Sequence, residues 1–343
     1  ENAGVHSGDA TLVLPAQHLY VETIRRIKKI SQLVAGALNI TGPFNMQFLA
    51  KDNFVKVIEC NLRASRTFPF VSKTFDFNFI SLATKAMLNI PCKPHNISLL
   101  DLEYVGIKAP QFSFTRLQGA DPTLGVEMSS TGEVACFGKT MHEAYLLALK
   151  ATRFKMPTKT HNVLLSIGPS KAKTAFVECA KMLQEMGFNL FATAGTARAL
   201  AEHQSGVECT ILTKPSEESS EAAAKSKTSA VWMVQEGQID LVINITDSFR
   251  QQNVSDGYQI RRASVDFGVS LISNLRCAEL FVKSLHACRL RDAASAAGAP
   301  GSSPRVASID AKRAAADPGD PHFHPMHILE YYRTNAFAMD DYA

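Results

Sequence analysis

Gln47, Glu59 and Asn61 are the side chains whose types and spacing most clearly suit chemistry. In FNMQFLAKDNFVKVIECN, alternation puts Gln47, Leu49 and Lys51 on one face of a first strand. The same rule puts Val55, Val57, Glu59 and Asn61 on one face of a second. Folding through an Asp52-Asn53-Phe54 loop pairs 51 with 55, 49 with 57 and 47 with 59, so that Gln47, Glu59 and Asn61 converge. A carboxylate and two amide carbonyls suit Mg²⁺ or Mn²⁺ that also touches phosphate oxygens. Arg63 and Arg66 follow, guanidinium groups suited to transferring phosphoryl oxygens or to a second anionic substrate. The spacing fits equally an edge strand whose Gln, Glu and Asn face water.

A second constellation lies further on. In FATAGTA, residues 191–197, a strand ends, a glycine permits a tight turn and a helix begins, so that Thr193, Thr196 and free backbone N–H groups outline an anion pocket. Threonine is also a common N-cap, and the turn alone is a weak signal. Asn244 and Thr246 end another expected strand, and ligands of open parallel sheets sit outside the carboxyl ends of strands. Lys173 and Lys214 are placed to reach that rim, although a lone lysine usually marks solvated surface.

The elements that must position these groups follow from the pattern. Strands are expected at Asn162–Ile167, Phe188–Thr193, Val207–Leu212, Ile239–Asn244 and Val269–Ser273, alternating with helices as in a doubly wound α/β domain. Phe176, Cys179, Ala180 and Leu183 recur at helical spacing, and Gly187 sits where a left-handed cap belongs. The N-terminal zone reads as part of an α+β unit, with the hairpin and helices near Asn78–Leu88 and Met141–Phe154.

The chain of 343 residues has 46% apolar and 20% charged residues and a net charge of +4, the balance of a globular protein. Its basic residues are scattered, so no nucleic-acid footprint is expected. No apolar run is long enough to cross a bilayer, and no membrane partner is expected. Seven cysteines without C-x-x-C spacing suggest a reducing, cytoplasmic setting rather than a disulfide framework or structural zinc. From about Asp292 to Pro321 the composition is that of a linker, too poor in large apolar residues to order itself. In the tail beyond it, His322, His324 and His327 lack acidic or thiol companions, which argues against a metal site. The sequence opens at Glu1 rather than Met, which suggests a piece of something larger.

The run Glu59-Cys60-Asn61-Leu62-Arg63-Ala64-Ser65-Arg66, followed by Phe68-Pro69-Phe70-Val71-Ser72-Lys73, resembles the metal and nucleotide strand of the ATP-grasp fold in carbamoyl phosphate synthetases. Residues 3–9, AGVHSGD, are similar to that family's loop over the second ATP, and residues 129–134, SSTGEV, to a later stretch of the same half. The resemblance covers residues 1 to about 290. It implies that Gly4, Val5, His6 and Ser7 contact ATP, that Gln47 and Glu59 serve ATP and metal, that Asn61 completes the metal shell, and that Arg63 and Arg66 face the phosphoryl acceptor. His6 fits a structural role in the loop at least as well as that of a base. The implied reaction is phosphorylation of carbamate to carbamoyl phosphate, an in-line transfer in which metal and cationic side chains hold the charge. It is half of a glutamine-dependent, two-ATP synthesis that opens pyrimidine biosynthesis.

The following α/β domain resembles the methylglyoxal-synthase-like module that ends such synthetases. There Lys173, Thr193, Thr196, Lys214, Asn244 and Thr246 match positions that hold an effector nucleotide in bacterial members. Urea-cycle synthetases, which respond to N-acetylglutamate, carry an aromatic residue where this chain has Lys214, so the expected effector is a uridine nucleotide, with phosphoribosyl pyrophosphate as an opposing ligand. Ala109 and Leu271 stand where the bacterial ornithine site supplies polar groups, which argues against that site. The implied organisation is 1–155, the end of the second ATP-grasp unit and a connector; 156–290, the regulatory domain; and 291–343, linker and tail. The implied partners are a glutamine amidotransferase domain or subunit and the preceding synthetase halves, without which the piece is expected to be inactive. No dihydroorotase or transcarbamoylase sequence is seen after Asp292. The alternatives are a stand-alone nucleotide-binding regulatory subunit, a urea-cycle synthetase, a ligase of another class sharing the hairpin, and a true methylglyoxal synthase. The last would need a carboxylate base such as Asp247 beside the pocket.

Overall fold

The computed structural model describes residues 1, 3–93, 102–203, 206–218, 226–246 and 255–297, with side chains to residue 291. Asp247, His322, His324, His327 and the tail from 298 lie outside the described residues. Glu1–Ala287 form one compact unit and Cys288–Ala343 another.

The first sheet is the hairpin, β2 (Asn45–Lys51) with β3 (Phe54–Asn61). Asp52 and Asn53 both take positive φ, 49° and 65°, which makes a two-residue turn whose twist matches the strands. Lys51 therefore pairs with Phe54, Ala50 with Val55, Leu49 with Lys56 and Phe48 with Val57. The expected pairs 51 with 55 and 49 with 57 are wrong by one residue, because the loop is one residue shorter than the Asp52-Asn53-Phe54 reading. Gln47 nonetheless faces Glu59, since the register shifts between Gln47 and Phe48 and Ile58 is the extra residue of a bulge. Val55 and Val57 consequently do not share the face of Glu59 and Asn61.

Helix α1 (Val21–Ala37) runs beside the hairpin, tied to its turn where Thr23 Oγ1 donates to Asn53 Oδ1 at 2.8 Å and Arg26 Nη1 to Asn53 O at 2.8 Å. Helices α2 (Thr67–Thr74) and α3 (Phe79–Met87) follow, the second capped by Asn78, whose side chain accepts from Ser81 N at 2.9 Å.

The second sheet is antiparallel, in the order β1 (Leu12–Leu14), β4 (Val105–Gln111), β5 (Gly132–Gly138). Helix α4 (Met141–Ala151) covers it, burying Ala144, Tyr145, Leu146 and Ala148. The third sheet contains β6 (Asn162–Ile167), β7 (Asn189–Thr193), β8 (Thr210–Leu212), β9 (Leu241–Ile245) and β10 (Ser270–Ile272). Its order is β10-β9-β6-β7-β8, every pair parallel. Val163, Leu164, Leu165, Leu241, Val242 and Ile243 are wholly buried, as central strands covered on both faces require. Helices α5 (Ser170–Glu185), α6 (Ala194–Glu202), α7 (Ala230–Gln235), α8 (Asp256–Asp266) and α9 (Leu275–Ala297) complete this part.

The doubly wound sheet is as expected, and β6 has the expected bounds. Strand β8 is shorter, because Gly206 turns at φ 67° and pairing with β7 begins only at Thr210. Asp292–Ala297, read as the start of a linker, continue α9: the stretch is alanine-rich, and alanine is the strongest helix former.

Candidate functional site

Gln47, Glu59 and Asn61 meet. Gln47 Nε2 and Asn61 Nδ2 each donate to Glu59 Oε1 at 2.8 Å. With both amide nitrogens engaged, the two amide carbonyls and Glu59 Oε2 are the oxygens left to a ligand. Three oxygens from one carboxylate and two amides form a hard-cation set that fits Mg²⁺ or Mn²⁺. Among the described residues no group of three His, Cys, Asp or Glu side chains offers an alternative.

Gln47 Nε2 also donates to Ser7 Oγ at 2.9 Å, which brings loop 3–9 onto the hairpin. His6 Nδ1 accepts from Gly8 N at 3.0 Å, and His6 N donates to Gly125 O at 2.8 Å. The ring thereby fastens the loop by one nitrogen. Asp9, wholly buried, accepts from Ser129 N at 2.8 Å and Ser130 N at 2.9 Å. Beneath the loop, Lys108 on β4 is 1% exposed and donates to Ser7 O at 3.3 Å and Gly8 O at 3.1 Å. Its Nζ lies 3.7 Å from Glu133 Oε2, an ion-pair distance that leaves this oxygen without a hydrogen bond. Burial pulls the Lys108 ammonium below the ordinary lysine range; Glu133 opposes that shift and Arg66 adds to it.

Arg63 and Arg66 differ in placement. Arg63 is exposed, and among the described residues its side-chain hydrogen bond is to Ala64 O, at 3.3 Å. Arg66 precedes α2 and its Nη1 is held by Ser130 Oγ at 3.2 Å, Ser130 O at 3.3 Å and Met128 Sδ at 3.0 Å. Of the two, Arg63 is the less restrained. Gly4 is exposed at φ 105°, and Val5 is half-buried.

The second site forms at the carboxyl edge of the parallel sheet, where the strand order reverses between β6 and β9. Thr193 ends β7 and caps α6 without a side-chain cap bond; its Oγ1 lies 3.2 Å from Thr196 Oγ1 instead. Thr196 Oγ1 also accepts from Ile167 N at 3.0 Å, joining the turn to the end of β6. Both threonines are buried, and the Thr193 side chain makes no cap bond to the first N–H groups of α6. Lys173, in the first turn of α5, brings its Nζ to 3.5 Å from where a Cβ on Gly195 would stand. Lys214 follows β8, and Thr246 follows β9. Asn244 is 2% exposed and its Oδ1 accepts from Arg261 Nη1 at 2.8 Å. All six expected rim residues therefore come from the carboxyl ends of strands, the turns after them or the first turn of the helix that follows.

Four residues with a part in these sites were not singled out from the sequence: Lys108, Glu133, Asp121 and Arg261. Arg261 forms a two-point pair with Asp121, Nε to Oδ1 at 2.7 Å and Nη2 to Oδ2 at 2.5 Å. The pairing spans 140 positions, and no local pattern announces it.

Hairpin, loop and hard-cation set define an ATP-grasp-type segment, and the five-stranded parallel sheet defines an α/β module that follows it in the chain. Residues 2–93 match the family described as carbamoyl-phosphate synthase L chain, ATP binding domain, and residues 175–273 match the MGS-like domain. The chain carries carbamoyl-phosphate synthase sequence: part of an ATP-binding domain followed by an MGS-like domain. It is 49% identical over 290 residues to Multifunctional protein URA2 of Saccharomyces cerevisiae, covering 83% of this chain and 13% of that protein. It is 50% identical over 290 residues to Multifunctional protein pyr1-3 of Dictyostelium discoideum, covering 83% and 12%. To the mitochondrial carbamoyl-phosphate synthase [ammonia] of Homo sapiens it is 44% identical over 300 residues, covering 86% and 19%. The chain thus spans between about an eighth and a fifth of the length of these relatives.

Proposed function

We propose that this chain supplies the metal and nucleotide strand and the regulatory module of a glutamine-dependent carbamoyl phosphate synthetase of the pyrimidine pathway. The observation that carries the reading is the meeting of Gln47, Glu59 and Asn61 under the Ser7 loop. A carbamate oxygen attacks the γ-phosphorus of ATP, the bond to the β-γ bridging oxygen breaks, and ADP leaves. A divalent cation bound there would neutralise charge on the phosphate oxygens. The chain's own part is to hold that charge in place: Glu59 with the two amides orients the oxygens, Ser7 and Lys108 fix the loop, and Arg63 reaches the acceptor. The remaining synthetase halves and a glutamine amidotransferase domain or subunit are the partners the reaction needs.

Identity of 49–50% to the two multifunctional proteins against 44% to the ammonia-type relative supports the pyrimidine reading. A cation at Lys214 suits a uridine nucleotide or phosphoribosyl pyrophosphate better than an acyl amino acid. The cytoplasmic setting rests on the sequence, seven cysteines without C-x-x-C spacing.

The test uses the full-length synthetase that contains this sequence. Glu59→Gln keeps an acceptor for both amides and removes the charge. ATP formation from carbamoyl phosphate and ADP, the reverse of the second phosphorylation, is expected to fall by roughly a hundredfold or more. Bicarbonate-dependent ATP hydrolysis, a reaction of the other half, is expected to persist. Unchanged ATP formation would overturn the assignment.

A further inference from the structure

Asn244 is one of three buried polar groups of the rim, with Thr193 and Thr196, and its orientation is set from outside the rim. Arg261, on α8 and 3% exposed, donates Nη1 to Asn244 Oδ1, while its Nε and Nη2 are bound to the two oxygens of Asp121. A guanidinium is planar and presents its donors in a fixed fork, so a two-point pair on one edge leaves the remaining nitrogen no freedom of aim. Gly257 keeps the space that this requires: a Cβ there would stand 3.0 Å from Arg261 Nη1 and 3.6 Å from Asn244 Oδ1. Asp121 is itself held, because Tyr258 OH donates to Gly119 O at 2.9 Å and Arg262 Nη1 donates to Phe114 O, Leu117 O and Ala120 O at 3.0–3.2 Å.

An amide carries its acceptor and its donors at opposite ends. Oδ1 fixed on a cation therefore turns Nδ2 the other way, and among the described residues Nδ2 has no hydrogen-bond partner. The groups on the same edge of the sheet, the N–H groups of α6, the Thr193 and Thr196 hydroxyls and the Lys173 ammonium, suit an anion. An asparagine free to flip can also turn its oxygen, an acceptor, toward that anion. We propose that Arg261, held by Asp121, is a positioning residue that locks Asn244 with its donor end toward a phosphate of the bound uridine nucleotide. The inference rests on the reading of the rim as an anion site. It makes rim affinity depend on where residues 119–121 lie, although they belong to the loop between β4 and β5 and not to the module.

The experiment is a double-mutant cycle on the whole chain, with binding of uridine monophosphate and, separately, inorganic phosphate measured by calorimetry. Arg261→Lys keeps the charge and loses the fork. In the native background it is expected to weaken uridine monophosphate binding about five- to tenfold, and Asp121→Asn to do likewise. In an Asn244→Ala background Arg261→Lys is expected to change nothing, an outcome that a merely structural role would not produce. Equal losses in both backgrounds, or none in either, would overturn the lock. Phosphate weakened in step with the nucleotide places the locked donor on the phosphate; phosphate unaffected overturns that placement. Saturable binding abolished by Lys214→Ala but insensitive to Arg261→Lys would leave the anion rim standing and reject the lock. Absence of saturable binding by the native chain would reject both.

Discussion

Gln47 stands opposite Glu59, Nε2 to Oε1 at 2.8 Å, although the strand leading to Glu59 is one residue longer than the strand leading to Gln47. The bulge at Ile58 absorbs the difference and puts amide and carboxylate on one face. Two oxygen-bearing side chains directly across a strand pair stabilise each other when one donates and the other accepts. They repel when both are acids.

Gln47→Glu turns that pair into a test for the cation. In chelator at pH 7, facing carboxylates are expected to cost about 1 kcal/mol, read as a lower urea midpoint. Repulsion raises one carboxyl's pKa, so its folded value exceeds its unfolded one, and the penalty is relieved as pH falls through the raised value. Added Mn²⁺ is expected to restore the midpoint at pH 7. Failure of Mn²⁺ to do so would count against a divalent cation at 47, 59 and 61.

Asn53 is where the hairpin meets α1, and its φ of 65° lies in the left-handed region that asparagine tolerates better than alanine. Its Oδ1 is also the acceptor for the hydroxyl of Thr23, which is 2% exposed. Asn53→Ala loses both, and a fall of about 2 kcal/mol in unfolding free energy is expected by urea titration. Asn53→Gly relieves the backbone strain yet keeps Thr23 unsatisfied, and should fall between the two.

Much of this was legible locally. The buried strand Asn162–Ile167 is a short apolar run with turns on both sides, and the helix of Phe176, Cys179, Ala180 and Leu183 shows its stripe directly; all four side chains are buried. Helix α1 was legible too, since Val21, Ile24, Ile27, Ile30 and Val34 recur at helical spacing, but it was not singled out; of its residues only Thr23 is buried. Helix α2 contains Pro69, which reads as a breaker yet stands in the first turn, where its missing N–H has no intrahelical partner to lose. At the site, residue types and alternation were enough to bring Gln47 to Glu59. The turn is one residue shorter than Asp52-Asn53-Phe54, and the bulge at Ile58 restores the pairing of Gln47 with Glu59. Lys108 was invisible for a different reason. A lysine in a strand reads as solvent-facing, and only the carbonyls of Ser7 and Gly8, a hundred residues away, show why burial is tolerable. Asp121 and Arg261 belong to the same class, since a long-range ion pair leaves no periodicity.

Asp9 anchors the loop over the hairpin through two N–H donors, Ser129 and Ser130, in a wholly buried position. Asp9→Asn replaces one acceptor by an NH₂ that faces a backbone N–H. Two donors left facing each other in the interior are expected to cost about 3 kcal/mol. In the full-length enzyme the freed loop should raise the KM for ATP more than it lowers kcat, because Ser7 and not Asp9 touches the cluster. A fall in kcat alone, with KM unchanged, would contradict the anchoring role.

Burial also sets the reactivity of the thiols. It pushes Cys136 and Cys179 up to about 11 and Cys277 to about 12, the Glu1 carboxylate adding to the last. Only the thiolate attacks iodoacetamide, and at pH 8 a thiol with a pKa near 11 is ionised in about one molecule in a thousand. Cys92 is exposed. Alkylation of the native chain at pH 8, followed by peptide mass spectrometry, is expected to label Cys92 first and to spare Cys136, Cys179 and Cys277. The same shifts fix a sign for stability. Each of the three has a folded pKa above the ordinary thiol value near 9, so its contribution is complete below pH 9 and is lost as pH rises through about 11 to 12. The urea midpoint should therefore decline between pH 9 and 11, and Cys179→Ala should make that decline shallower. Labelling of Cys179 at pH 8 as fast as Cys92 would show that its surroundings are open to water and remove the basis for the alkaline decline.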